Sequence, residues 1–125
     1  MIPKENRLKH MKDFQILFDE GRFIGDQCIT LKVWKIDPEK YPRRAYTRDT
    51  LLIGFVVSVK VSKKAVERNR KKRQMREVVR LMLKKDILQS GYLIAVMAKK
   101  EILESDYAAI EKSIKSALSR ARVLR

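Results

Sequence analysis

Twelve basic side chains crowd residues 60–85: Lys60, Lys63, Lys64, Arg68, Arg70, Lys71, Lys72, Arg73, Arg76, Arg80, Lys84 and Lys85. Only Glu67 and Glu77 oppose them, which leaves a surplus of ten positive charges in 26 residues. A solvated helix face ordinarily sets acids three or four residues from its bases, and here those acids are missing. Guanidinium forks grip phosphate bidentately and stack on bases, and ammonium groups add point charge. The chemistry on offer is therefore polyanion binding, with nucleic acid the first candidate. A smaller cluster, Lys40, Arg43, Arg44 and Arg48, is interleaved with Tyr41 and Tyr46. It reads either as a further nucleic-acid contact or as a soluble loop.

Bond-breaking chemistry is harder to find. His10 is the single histidine and sits in a basic N-terminal stretch, where a surface role suits it. Cys28 is the single cysteine, has no local histidine partner, and reads as a small buried hydrophobe. One His and one Cys do not make a typical zinc site. The four glycines, at 21, 25, 54 and 91, form no phosphate-cradling loop. Asp13, Asp19 and Glu20 are better explained as a helix N-terminal acid and solvated acids than as an acid–base pair. By itself the chain reads as non-catalytic, with no metal site of its own.

The elements that position the basic run follow from composition and period. The chain has 125 residues, a net charge of +15 and 45% hydrophobic residues, which predicts a single domain over 1–125 with a real core. No apolar run approaches a membrane span, and no secretory signal is visible. One cysteine fits a reducing cytoplasm. Residues 1–10 read as extended and flexible. Met11, Phe14, Leu17 and Phe18 predict a helix over 11–20, ended by Gly21 in a left-handed conformation. Ile29, Leu31 and Val33 alternate to one face of a strand over 28–36, and residues 37–49 read as a loop. Residues 51–59 and 92–98 read as strands buried on both faces. Between them Ser62 caps a helix over about 63–85. Its second half carries the stripe Met75, Val78, Val79, Met82 and Leu83, while its first half projects charge. Ser105 caps a last helix bearing Tyr107, Ile110, Ile114, Ala117 and Leu118. A hairpin is allowed near the loop or the ends of 51–59. The sum is an α+β fold, an α/β sandwich with helices on one face of a small mixed sheet.

One segment goes further. Lys63 to Glu77 reads KKAVERNRKKRQMRE, and its core, Arg68-Asn69-Arg70, then Lys72-Arg73, then Arg76-Glu77, closely resembles the RNR motif of the protein subunit of bacterial ribonuclease P. Upstream, Gly54-Phe55-Val56-Val57 and Lys60 resemble the family's strand leading into that helix. Arg7-Leu8, Asp13-Phe14, Phe18 and Gly21 resemble its opening R-L…D-F…F…G pattern. The resemblance implies an α/β sandwich with a left-handed β-α-β crossover around the basic helix, which periodicity does not reveal because right-handed crossovers are the default. It implies a large catalytic RNA partner that holds Mg²⁺, and a precursor tRNA whose 5′ leader is removed. No membrane partner and no obligate protein partner are expected.

Carried onto this sequence, the resemblance makes Arg68, Asn69, Arg70, Lys72, Arg73 and Arg76 contacts to the RNA subunit. Physical chemistry agrees: Arg68, Lys72 and Arg76 share a helix face, and Asn69 can donate and accept at once. An alternative for Asn69 is a hydrogen bond that orients Arg68 or Arg73. Phe14 and Phe18 match the leader-cleft aromatics, whose faces stack on unpaired bases; two Phe at helical spacing also suit a core. Lys60 and Lys64 would rim that cleft, and Leu31 and Val33 would floor it. Three positions depart from the family pattern. Val59 stands where relatives often have a lysine, Lys64 replaces an Asn or Arg, and Leu31 or Val33 stands where some relatives place an aromatic. A ribosomal or other structural RNA-binding protein is the competing reading. A DNA-binding helix lacks helix-turn-helix or heptad organisation, and a membrane-surface helix lacks an apolar face over 63–73.

Overall fold

The structure, a computed structural model, describes residues 2–125. Strands β1 (Arg22–Gly25), β2 (Ile29–Lys35), β3 (Leu51–Val56) and β4 (Tyr92–Ala98) form one sheet in the order β1-β2-β4-β3. β1 with β2 and β2 with β4 are antiparallel, while β3 and β4 are parallel. Parallel neighbours need a long crossover, and α2 (Ala65–Lys84) is that crossover. Helices α1 (Met11–Glu20) and α3 (Tyr107–Arg120) complete the fold.

The alternation in β2 does what its period requires. Ile29, Leu31 and Val33 enter a core with Met75, Val78, Val79 and Met82 of α2 and with Ile110, Ile114 and Leu118 of α3. The near-continuous apolar β4 serves both faces: Ile94 and Val96 join that core, and Leu93 and Ala95 join a second one. The second core holds Leu8, Ile16, Leu17, Trp34 and Tyr46. Helices therefore cover both faces, not the single face expected: α2 and α3 pack on one, and α1 packs on the other.

Other expectations need correction. The hairpin joins β1 to β2 over residues 22–35, not the region of 51–59. β1 is four residues long and mostly exposed, so no apolar period announced it. Gly21 is extended (φ −78°, ψ 169°), not left-handed. It is needed for close approach, since a Cβ there would lie 2.6 Å from the Leu17 carbonyl and 2.9 Å from that of Val33. Ser62 is not the cap of α2; Lys64 holds that position without a side-chain bond. Ser62 instead accepts from the Lys64 N–H at 3.1 Å and donates to Glu67 at 2.7 Å. Asp106, not Ser105, caps α3 by accepting from the Ala109 N–H at 2.9 Å.

Residues 2–10, expected to be flexible, are fastened to the sheet. Arg7 bridges Ile53, the Leu8 N–H donates to the Ile53 carbonyl at 3.1 Å, and Asn6 donates to the Leu51 carbonyl at 2.8 Å. Ile2 and Leu8 are buried. This arm covers part of the outer edge of β3, an edge that would otherwise invite other strands.

Candidate nucleic-acid interface

Cations on this chain fall into two groups. Arg44 is paired with Asp13, Arg80 with Glu77, Arg120 with Asp26 and Lys40 with Glu20. By contrast Arg68, Arg70, Lys72, Arg73 and Arg76 have no carboxylate within ion-pair distance among the described residues. Asn69, Arg70, Arg73 and Arg76 are exposed, and Arg68 and Lys72 are half-buried. Arg68 is oriented by the Ser62 carbonyl, to which its Nη1 donates at 2.9 Å, and not by Asn69. Its other donors remain available. The positive end of the α2 dipole lies at the same end of the helix and adds to the field.

The aromatic site lies on α1. Phe14 and Phe18 stack with centroids 6.5 Å apart and planes 18° apart. Phe14 is half-buried and Phe18 is 42% exposed, so the pair divides between packing and presentation. Gly54 makes the seat for Phe14, because a Cβ there would come within 2.9 Å of the ring.

Strand register shows what lies beside that seat. Phe23, Lys32, Ala95 and Gly54 form one row across the sheet, and Gly25, Thr30, Met97 and Val56 form the next. Both rows face the α1 side, because Ala95 and Trp34 do. Thr30, Met97 and Val56 are half-buried. The Lys32 ammonium lies 3.6 Å from the centroid of the Phe23 ring, which is itself 64% exposed. Lys32 is itself only 6% exposed, so the exposed Phe23 ring, not the lysine, is what this surface presents, and an aromatic face suits unpaired bases.

Leu31 and Val33 do not belong to this surface. They are 0% and 1% exposed in the core beneath α2 and α3, on the opposite face. A shift of one residue along a strand changes the face, so Thr30 and Lys32, not Leu31 and Val33, lie on the α1 side of the sheet. The signal was present: once Ile29, Leu31 and Val33 are read as core, Thr30 and Lys32 must point the other way. Lys60 and Lys64 are exposed in the connection that leaves β3 and enters α2.

The α1 and α2 sites meet. A groove of about 390 Å³ is lined by Phe14, Gly54 and Phe55 and by Lys72 and Arg76. Sequence reasoning also missed what holds α1 in place. Asp13, 2% exposed, accepts from Arg44 Nε at 3.0 Å and from the Tyr46 hydroxyl. Burial, then the bond to Asp13, pushes the Tyr46 hydroxyl up to about 12. Tyr41 and Tyr46 set their edges against Trp34 at 5.8 and 5.9 Å. The basic loop of residues 37–49 is thus bolted to α1, and Arg44 is spent on that structural bond. Among the described residues no three His, Cys, Asp or Glu side chains converge as a metal-ligand set, and no helix is long and apolar enough to cross a membrane.

A mixed sheet between helical layers, with a strip of unneutralised cations next to an aromatic platform, defines a small basic α+β domain built to bind nucleic acid. The Ribonuclease P family model matches residues 2–122. The ribonuclease P protein component of Pseudanabaena sp. is 34% identical over 124 residues, covering 99% of this chain and 97% of that one. That of Picosynechococcus sp. is 39% identical over 97 residues, covering 76% and 72%. Among solved structures, the RNase P protein of Staphylococcus aureus agrees in fold with a TM-score of 0.77 at 24% identity, covering 98% of this chain and 100% of that one. The RNase P protein of Thermotoga maritima gives 0.72 at 26% identity, covering 92% and 96%. The chain belongs to the ribonuclease P protein family. Members of that family are the protein subunits of an endoribonuclease that acts in tRNA processing, with the chemistry carried by its RNA subunit.

Proposed function

We propose that this chain binds the catalytic RNA of ribonuclease P through the exposed strip of α2 and the 5′ leader of precursor tRNA on the α1 side of the sheet. Arg68, Asn69, Arg70, Lys72, Arg73 and Arg76 contact the RNA subunit; Phe14 and Phe18 stack on leader bases, with Lys60 and Lys64 at the rim. The observation that carries this reading is the adjacency of unneutralised cations and an aromatic platform around one groove. Positive charge set between two polyanions lowers their repulsion, so the complex captures precursor at lower Mg²⁺. In this reading the RNA partner holds that ion. The site of action is the cytoplasm.

Two exposed positions separate the roles. Arg73→Ala weakens binding to the RNA subunit and lowers its salt slope by about 0.7–0.9, with the preference for precursor over mature tRNA retained. Phe18→Ala spares RNA-subunit binding and lowers precursor affinity relative to mature tRNA by about fivefold or more. Filter binding of both RNAs at several salt concentrations reads both effects. Variants that bind both RNAs normally overturn the assignment.

A further inference from the structure

The loop of residues 37–49 holds α1 at both ends. In the first turn of α1, Asp13 is 2% exposed and takes hydrogen bonds from Arg44 and from the Tyr46 hydroxyl. In the last turn, Glu20 pairs with Lys40. Seven residues separate the two acids, so both lie on one side of the helix. The loop is in turn fixed to the sheet, because Tyr41 and Tyr46 set their edges against Trp34 of β2. Lys40 and Arg44 thus have carboxylate partners in α1, while Arg43 and Arg48 of the same loop have none among the described residues.

These pins govern an angle that packing leaves loose. Ile16 and Leu17 are the buried apolar side chains of α1, and apolar contact has no preferred direction. Phe14 is half-buried and Phe18 is exposed. Hydrogen bonds do have a direction. Phe14 and Phe18 lie about a third of a turn around the helix from Asp13 and Glu20, so any roll of α1 swings both rings. We propose that Asp13, Arg44 and Tyr46 are positioning residues for the leader platform, with Glu20 and Lys40 as a second pin. They set the roll of α1, and through it the direction in which Phe14 and Phe18 face the leader. In this assignment Arg44 and Lys40 serve recognition without touching RNA. The inference rests on the proposed leader-binding role of Phe14 and Phe18, and it adds a determinant of precursor selectivity that lies outside their surface.

Substitutions that do and do not remove charge separate positioning from contact. Tyr46→Phe removes one bond to Asp13 and no charge. Arg44→Met removes the guanidinium bonds and keeps the apolar stem. Each full chain is combined with a bacterial ribonuclease P RNA, and the complex is titrated with precursor and mature tRNA at several salt concentrations. Circular dichroism first confirms the parent's fold at the assay temperature. Both variants lower the preference for precursor over mature tRNA, Arg44→Met by about fivefold, the low end for one stacked base, and Tyr46→Phe by less. Binding to the RNA subunit and the salt slope of precursor binding keep the parent's values. Arg44→Lys, which retains a charged bond to Asp13, regains most of the preference. Combined with Phe18→Ala, Arg44→Met loses less than the product of the two single effects, because it acts through that ring. A salt slope lowered by about 0.7–0.9 in Arg44→Met, with Tyr46→Phe like the parent, would make Arg44 an RNA contact and overturn the positioning role. The full product in the double variant, or the parent's preference in both single variants, would overturn it as well. A Phe18→Ala chain that keeps the parent's preference for precursor would instead refute the leader-binding role on which the inference rests.

Discussion

Asp13→Ala is the perturbation whose cost the structure fixes best. The carboxylate side chain is 3% exposed and takes bonds from Arg44, at 3.0 Å from Nε and 2.9 Å from Nη2, and from the Tyr46 hydroxyl. Removing one partner of a buried pair ordinarily costs about 3–5 kcal/mol, because the remaining charge is left unpaired. Arg44 is 28% exposed and can turn part of its guanidinium to water; Tyr46, 7% exposed, cannot do the same with its hydroxyl. The net loss is therefore about 2–3 kcal/mol. For a chain of this size that lowers Tm by roughly 6–15 °C. Calorimetry or thermal circular dichroism reads the shift. Tyr46→Phe removes one of the three bonds and costs about 1 kcal/mol. The double variant loses less than the sum, because the two groups share one site.

The pH profile gives an independent check. The Tyr46 hydroxyl is raised from 10.0 to about 12 in the folded chain. Its contribution is therefore fully present below pH 10 and disappears as pH rises toward 12. The stability gap between the parent and Tyr46→Phe should close across that window. An Asp13→Ala chain that melts within 2 °C of the parent, or a gap that stays constant to pH 12, would refute the clamp.

Gly54→Ala sets a methyl group against Phe14 and Leu8 and costs about 1–3 kcal/mol through overpacking. It lowers affinity for precursor tRNA while sparing RNA-subunit binding, and equal losses for both RNAs would show that Gly54 does not act through Phe14. At the other end of the sheet, burial raises the Asp26 carboxyl, but hydrogen bonds from the Gln27 N–H, Ser113, Arg120 and Ser116 outweigh it and hold the group at about 2. Its stabilisation is present above about pH 4 and disappears as pH falls toward 2, about 1–2 kcal/mol after solvent screening. Urea melts of the parent and Asp26→Asn should therefore differ at pH 5 and converge near pH 2; a gap that does not depend on pH refutes the assignment.

Period and charge made much of this molecule legible. The stripe from Met75 to Leu83, the alternation in β2 and the apolar runs of β3 and β4 each predict an element that the structure contains, because burial writes its period into the residues. The cations of α2 were legible for the converse reason: they have no acids to answer them. What was hidden depends on tertiary partners. β1 is an exposed edge strand fixed by pairing with β2 and not by its own pattern. Trp34, Leu93 and Leu52 make a second apolar layer, but a run apolar at every position does not say which helix covers which side. Leu31 and Val33 were misassigned for a related reason: an expectation taken from family resemblance was placed one residue out of step with the strand's own alternation. Asp13 read as a helix-start acid because its partners are 31 and 33 residues away. Ser62 and Ser105 were plausible caps by type, yet a cap is chosen by where the first helical turn closes, and that differs by one or two residues.

Reconstitution tests the central claim most directly. The purified chain, a bacterial ribonuclease P RNA and a 5′-labelled precursor tRNA are combined at low millimolar Mg²⁺, with each component also omitted in turn. Cleavage at the mature 5′ end that needs the RNA and is strongly stimulated by the chain is the predicted result. Tight binding of the chain to the RNA with no stimulation of cleavage, or cleavage by the chain alone, would contradict it.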